Sequence, residues 1–241
     1  MQCRRSRVVF GEKGFLNFFV FINFKMDKIE QIISILKRDY PKFRTPIVTE
    51  FAERTRDPFK VLISCLLSLR TKDETTAKAS KRLFELGESP EEMVKLSEER
   101  IRDAIYPVGF YKTKAKRIKE ICKRLIEEYE SKVPDTIDEL LKFKGVGRKT
   151  ANLVVTQGYG KLGICVDTHV HRISNRLGLV KTKTPEKTEF ALRELLPKEY
   201  WIVYNDLLVS YGQNVCVPIS PFCSKCSIRE YCERVGVERS R

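Results

Sequence analysis

From Asp27 onward the apolar residues of the chain recur with a helical period. Ile29, Ile32, Ile33, Leu36 and Tyr40 fall at i, i+3, i+4, i+7 and i+11, which predicts an amphipathic helix with one buried face. Asp57-Pro58 marks the next start, because an aspartate N-cap accepts an amide hydrogen bond and a proline at the first helical position has no amide to leave unpaired. The run through Val61, Leu62, Leu66 and Leu67 is nearly continuous in its apolarity, the pattern of a central helix buried on all sides. Further starts are expected at Asp73, at Ser89-Pro90-Glu91-Glu92, where a capping box carries a proline, and at Ser97. A long helix from about Lys112 to Glu130 turns Ala115, Ile118, Cys122, Leu125 and Tyr129 inward and leaves Lys114, Lys116, Arg117, Lys119 and Lys123 on the solvent side.

The second half continues in the same way. Thr136 and Glu139 form another capping box, followed by a glycine-spaced turn and then an apolar face of Ala151, Val154, Val155 and Gly158. Asp167 is placed to cap a helix that runs to Arg176 and is closed by Gly178; Thr184-Pro185-Glu186 opens the next, Pro197 ends it, and one more spans about Tyr200 to Tyr211. No run alternates with the period of a strand and no internal repeat is visible, so the predicted class is all-α.

Composition narrows what such a helical protein does. The 241 residues are 42% apolar, enough for a real core in one large or two modest domains, and the net charge is +14 with basic and acidic residues interleaved. A folded protein of that charge points to a polyanion partner, nucleic acid foremost. Residues 1–25 begin with Arg4, Arg5 and Arg7 and continue into the apolar run Phe15 to Phe24, an outline shared with secretory signals. That run lacks a small-residue cleavage site and ten residues are too short to span a bilayer. We expect an N-terminal extension, disordered or upstream of the true start, and no membrane association; without it the chain keeps a net +10.

The chemistry gathers in two places. The first is Leu140 to Val155, LLKFKGVGRKTANLVV, where Gly145-Val146-Gly147 lets the backbone turn tightly and approach a ligand closely. Two cations, Arg148 and Lys149, follow on the first helical turn, where the positive end of the helix disfavours each by about 0.3–1 kcal/mol. With Lys142 and Lys144 nearby, the turn reads as a phosphate-binding hairpin. Lys149, next to Arg148 and the helix end, is expected to have a destabilised ammonium form and so a larger fraction of nucleophilic amine. The second place is Cys216-x6-Cys223-x2-Cys226-x5-Cys232. Four thiols within 17 residues indicate a metal site, whereas Cys3, Cys65, Cys122 and Cys165 stand singly, as buried free thiols do in a reducing compartment. The spacing alone leaves zinc and an iron–sulfur cluster open. His169 and His171, two apart on one helix, point to different faces and do not make a metal pair.

The motifs GVGRKTAN (Gly145–Asn152), VDTHVHRISNR (Val166–Arg176), VGFYKTKA (Val108–Ala115), LLSLRTKD (Leu66–Asp73) and the terminal cysteine loop together resemble the helix-hairpin-helix DNA glycosylases, specifically the endonuclease III family. The likeness covers nearly everything after Met26. It implies two helical domains flanking a DNA-binding cleft: a six-helix barrel carrying the hairpin at about residues 51–161, and a cluster domain built from residues 26–50 and 162–241. It also implies a bifunctional glycosylase and abasic-site lyase acting on oxidised pyrimidines in duplex DNA, in which Lys149 is the Schiff-base nucleophile and Asp167 its carboxylate partner. The cysteine array would hold a [4Fe-4S] cluster. DNA contacts are expected from Arg70, Phe110 and Tyr111, which plug and wedge the base stack, from the hairpin residues Gly145, Val146, Gly147 and Arg148, from His169, and from Lys225 and Arg229 of the cluster loop. The implied protein is a monomer of a prokaryotic cytoplasm, associated with the nucleoid.

Three positions depart from the family pattern: Arg70 stands where glutamine is common, Lys144 where a proline often precedes the glycine, and the segment VPISPF between the first two cysteines is neutral. The first bears on preference for the base opposite the lesion. Mismatch-specific thymine and adenine glycosylases are the competing reading, and they generally lack the lysine; a non-catalytic DNA-binding or redox module would need neither Lys149 nor Asp167.

Overall fold

A computed structural model describes residues 12–43 and 57–241, residues 12–25 by their backbone only. The described residues are helical with no strand: α1 Glu12–Asp39, α2 Pro58–Ser68, α3 Asp73–Phe84, α4 Pro90–Lys95, α5 Glu98–Ile105, α6 Tyr111–Glu128, α7 Ile137–Leu141, α8 Arg148–Leu153, α9 Thr168–Arg176, α10 Pro185–Leu195 and α11 Trp201–Asn214. Of the expected N-terminal extension, residues 1–11 lie outside the described residues, and from Glu12 the backbone is one helix with the segment after Met26. No helix among the described residues is long and apolar enough to cross a membrane.

The helix starts follow local chemistry. The side chains of Asp57, Ser89, Ser97, Thr136, Asp167 and Thr184 each accept a hydrogen bond from an amide in the first turn of the helix that follows. At Ser89 the glutamate of the expected box reaches one residue beyond the N-cap amide, Glu92 Oε2 accepting from Glu88 N at 2.7 Å.

Two hydrophobic cores result. The first is laid around α2, whose Val61, Leu62, Ile63 and Leu67 are fully buried, and it takes in α3 to α8, with Leu83, Met93, Ile118, Leu125, Leu140 and Ala151 at its centre. The second joins Ile29, Ile32, Ile33 and Leu36 of α1 to Val170 and Ile173 of α9 and Tyr204, Leu208 and Tyr211 of α11. The segment Ile164-Cys165-Val166 passes between them, Cys165 facing the first core and its two neighbours the second. In consequence α8 and α9 begin close to that crossing, one from each core.

One expected outer residue of α6 is not outside. Lys114 is 6% exposed. Helical period assigns positions to faces but does not say which flank another element will cover, and here the end of α2 and the loop after it lie over Lys114.

Candidate active site and DNA interface

The hairpin joins α7 to α8 through Gly145, Val146 and Gly147. Gly145 has φ +91, a conformation open chiefly to glycine, while Gly147 is the extended N-cap of α8 and a Cβ there would meet nothing within 4 Å. Val146 is the inward pin, 6% exposed, and its amide is used within the turn, donating to Phe143 O at 3.0 Å. The amides left facing outward belong to Gly147 and the first turn of α8, which has no side-chain cap.

Arg148 does not spend its charge on that helix end. Its Nε and Nη2 donate to Glu189 Oε2 and Oε1 at 2.8 and 2.6 Å, and the guanidinium lies 4.8 Å over the Phe190 ring. Glu189, on α10 and 2% exposed, also accepts from Arg193, which reaches on to Asn152 Oδ1 at 3.2 Å. The cation at the helix N-terminus is thus neutralised by a carboxylate from the other core, forty-one residues away.

Lys149 occupies the crossing. The ammonium is half-buried and makes no hydrogen bond or ion pair among the described residues. Burial works against its charge, but Cys165, Asp167, Cys65 and Asp73 around it outweigh burial and hold its pKa above the ordinary lysine value. Burial pushes the Cys65 thiol up to about 12 and the Cys165 thiol well above its usual value, so both are neutral at pH 7, and the acidic groups that then face the amine are Asp167 and Asp73. This reverses the lowered pKa expected from sequence. Arg148 is paired with Glu189, and Asp167 lies within electrostatic range of the amine.

Asp167 caps α9 with one oxygen, Oδ1 accepting from His169 N at 2.8 Å and Val170 N at 2.9 Å. Oδ2 has no partner among the described residues and is left for other work. His169 turns toward the second core: Arg172 Nη2 donates to its Nδ1 at 3.1 Å, which fixes the proton on Nε2, and a Cβ on Gly212 would come within 2.5 Å of the same nitrogen. Burial lowers the His169 pKa, so the ring is neutral at pH 7. His171 pairs instead with Thr188 Oγ1 at 2.7 Å; the two histidines serve different contacts.

Arg70 and Phe110, from loops forty residues apart, meet on the surface. Both have left-handed backbones, φ 53 and 58, and the Arg70 guanidinium sits 5.6 Å over the Phe110 ring, which is 62% exposed. Tyr111 lies behind them, partly buried against the first core and edge-on to Tyr106 at 5.4 Å. Tyr106, 60% exposed on the same loop, is a further aromatic side chain at this surface that the motifs do not mark.

The four cysteines are free thiols, and Cys216, Cys226 and Cys232 pack against the second core. Arg176 Nη1 donates to Cys216 Sγ at 3.3 Å, Tyr211 Oη to Cys226 Sγ at 3.3 Å and Arg234 N to Cys232 Sγ at 3.4 Å. Burial raises the Cys226 and Cys232 pKa, and the neighbouring thiols add to it. No three His, Cys, Asp or Glu side chains among the described residues close around a point to hold a single metal ion. An all-sulfur donor set, with hydrogen-bond donors aimed at three of its four sulfurs, suits a group of net negative charge that bridges separated thiolates. Lys225 and Arg229 stand exposed on the same loop.

A basic all-helical chain with a glycine hairpin, a lysine at the hairpin helix and a carboxylate-capped helix opposite defines a class of DNA repair protein, and known proteins bear this out. Residues 63–198 match the HhH-GPD superfamily of base excision DNA repair proteins. The chain is 52% identical over 177 residues to endonuclease III of Thermotoga maritima, covering 73% of this chain and 83% of that one, and 34% identical to endonuclease III of Rickettsia conorii, covering 85% and 95%. Among solved structures, a trapped endonuclease III–DNA covalent intermediate, an estranged-adenine complex, superposes with a TM-score of 0.78 at 33% identity over 87% of this chain and 96% of that one. The chain belongs to the endonuclease III family of the HhH-GPD superfamily, DNA glycosylase and abasic-site lyase enzymes of base excision repair.

Proposed function

We propose that this protein excises oxidised pyrimidines, of the thymine glycol type, from duplex DNA and cleaves the resulting abasic site. The observation that carries the reading is the pairing of Lys149, a lysine with no bound partner, with Asp167, a cap with one spare oxygen, at the starts of two helices that approach from different cores. The amine, once it has lost its extra proton, attacks C1′ of the damaged nucleotide, and the carbon–nitrogen bond to the base breaks as the base leaves. The sugar ring then opens as the C1′–O4′ bond breaks and O4′ takes a proton, leaving a protonated imine between Lys149 and C1′. Loss of a C2′ proton expels the 3′ phosphate. Asp167 stabilises the positive charge that builds on the sugar as the base departs.

DNA lies along the outward amides of Gly147 and α8, with Arg70 and Phe110 entering the stack and Lys225 and Arg229 contacting phosphates. Of the expected contacts, Val146 serves as the buried pin of the hairpin, Arg148 orients the hairpin through Glu189, and His169 acts from behind the site. Tyr111 supports the wedge from below. Cys216, Cys223, Cys226 and Cys232 would hold a [4Fe-4S] cluster, whose contribution is to fix the shape and charge of that loop. The protein acts as a monomer.

The test is Lys149→Gln on thymine glycol, abasic and G:T-mismatch duplexes, scoring base release, strand cleavage and borohydride trapping. Wild type should release thymine glycol, cleave and trap; the variant should do none of these. A trapped adduct with Lys149→Gln, or wild-type preference for the G:T duplex, sinks the reading. A purified protein that is brown and holds about four irons supports the cluster, and stoichiometric zinc in a colourless protein refutes it.

A further inference from the structure

Lys114 is the only buried lysine among the described residues, and it plays no part in the chemistry above. No carboxylate pairs with it among the described residues. Its Nζ donates instead to Leu67 O at 2.8 Å, Leu69 O at 2.6 Å and Thr71 Oγ1 at 3.3 Å. The first two are carbonyls at the end of α2, which have no acceptor role within the helix, and a cation there also meets the negative end of the helix dipole. Thr71 Oγ1 in turn accepts from Gly109 N at 3.1 Å, and the backbones touch at this point: a Cβ on Gly109 would fall 2.6 Å from Arg70 O. The residues adjoining that contact are Arg70 and Phe110, both left-handed, with the guanidinium over the ring. Beside them an open cleft of about 460 Å³, lined among others by Arg70, Phe110, Lys114, Arg117 and Gly145, separates the pair from the hairpin.

We infer that Lys114, acting through Thr71 and Gly109, is the positioning residue that locks the Arg70 and Phe110 loops into one preformed wedge for the DNA stack. The inference rests on the proposed excision of a base from duplex DNA. A buried, unpaired ammonium is costly, and burial brings the Lys114 pKa down to about 8; what it secures is the relative place of two loops whose tips have no other direct backbone bond between them. Without the lock each tip would have to be ordered on the DNA, and the rate of base extrusion would fall while contact with the phosphates stayed the same.

The experiment compares wild type, Lys114→Met, Thr71→Val and Thr71→Ser. It uses a duplex with thymine glycol beside 2-aminopurine, whose fluorescence reports opening of the stack, and a single-stranded abasic site, where no stack is opened. Lys114→Met and Thr71→Val should slow both the fluorescence rise and kcat for base release by about tenfold or more, with KM and single-strand cleavage within about twofold. Thr71→Ser, which keeps the hydroxyl, should behave as wild type. Wild-type extrusion rates in Thr71→Val, or equal losses on the duplex and the single strand, overturn the inference. Thr71→Val carries the test if Lys114→Met does not fold. Failure of wild type to release base from the duplex, by contrast, would fall on the proposed function and not on the wedge.

Discussion

At Asp167 two demands meet on one side chain, and they can be pulled apart. As an N-cap it needs only an oxygen that accepts from His169 and Val170, which asparagine supplies nearly as well. As the carboxylate facing Lys149 it needs a charge, which asparagine lacks. Asp167→Asn is therefore expected to keep thermal stability within about 0.5 kcal/mol while base release falls by about a hundredfold or more; calorimetry and single-turnover excision read the two separately. Equal loss in both would reduce Asp167 to a cap. The same carboxylate lies within electrostatic range of Lys149 and favours its ammonium form in the free protein, so the proposed nucleophilic role requires that proton to leave first. The cap of Asp167 and the place of Lys149 in the hairpin motif were legible in the sequence, whereas their pairing was implied there only by the family resemblance. The direction of the lysine's pKa was not legible, because it depends on Cys165, Asp167, Cys65 and Asp73, which come from other elements.

Among the elements, the pairing of α8 with α10 decides where the hairpin sits. Glu189 is buried, and burial alone would raise its pKa, but the hydrogen bonds from Arg148 and the charges of Arg148 and Arg193 outweigh that and lower it. A carboxylate with a lowered folded-state pKa contributes stability that is fully present above its unfolded value, about 4.3, and is lost as pH falls through the folded value. Glu189→Gln should cost about 1–3 kcal/mol at pH 7, with the difference from wild type shrinking below about pH 4.3 as wild type protonates. Urea denaturation across that range reads it, and a gap that persists to low pH would show that packing, not charge, is at issue. The helices themselves were readable one by one, since Asp57, Ser89, Ser97, Thr136, Asp167 and Thr184 act on amides two or three residues ahead. That Arg148 would meet Glu189 was not, because nothing local links a hairpin residue to one forty-one residues later.

For the whole molecule, a charge of +14 sets how it meets DNA. Binding to undamaged duplex should weaken linearly with the logarithm of salt, and Lys225→Ala and Arg229→Ala should each reduce that slope by about one without changing lesion preference. An unchanged slope would remove the cysteine loop from the DNA interface. Both residues are exposed and unpaired among the described residues, in contrast to Arg148 and Arg172, whose guanidiniums are engaged within the protein. Net charge predicts affinity for a polyanion; which cations remain free to supply it is a property of the folded surface.

What the sequence by itself determined is everything governed by short range: the all-helical class, the helix starts, the glycine turn before Lys149, the cysteine spacing and the family they indicate. Caps, turns and periodicity act over a few residues, so their signals survive without knowledge of the fold. The tertiary structure alone decided the state of each charge. It turned Lys114 from a solvent residue into the tie between Arg70 and Phe110, gave Arg148 to Glu189, and surrounded Lys149 with carboxylates from elsewhere in the chain. Electrostatic energies depend on distance and burial in space, and neither quantity is written in the order of the residues.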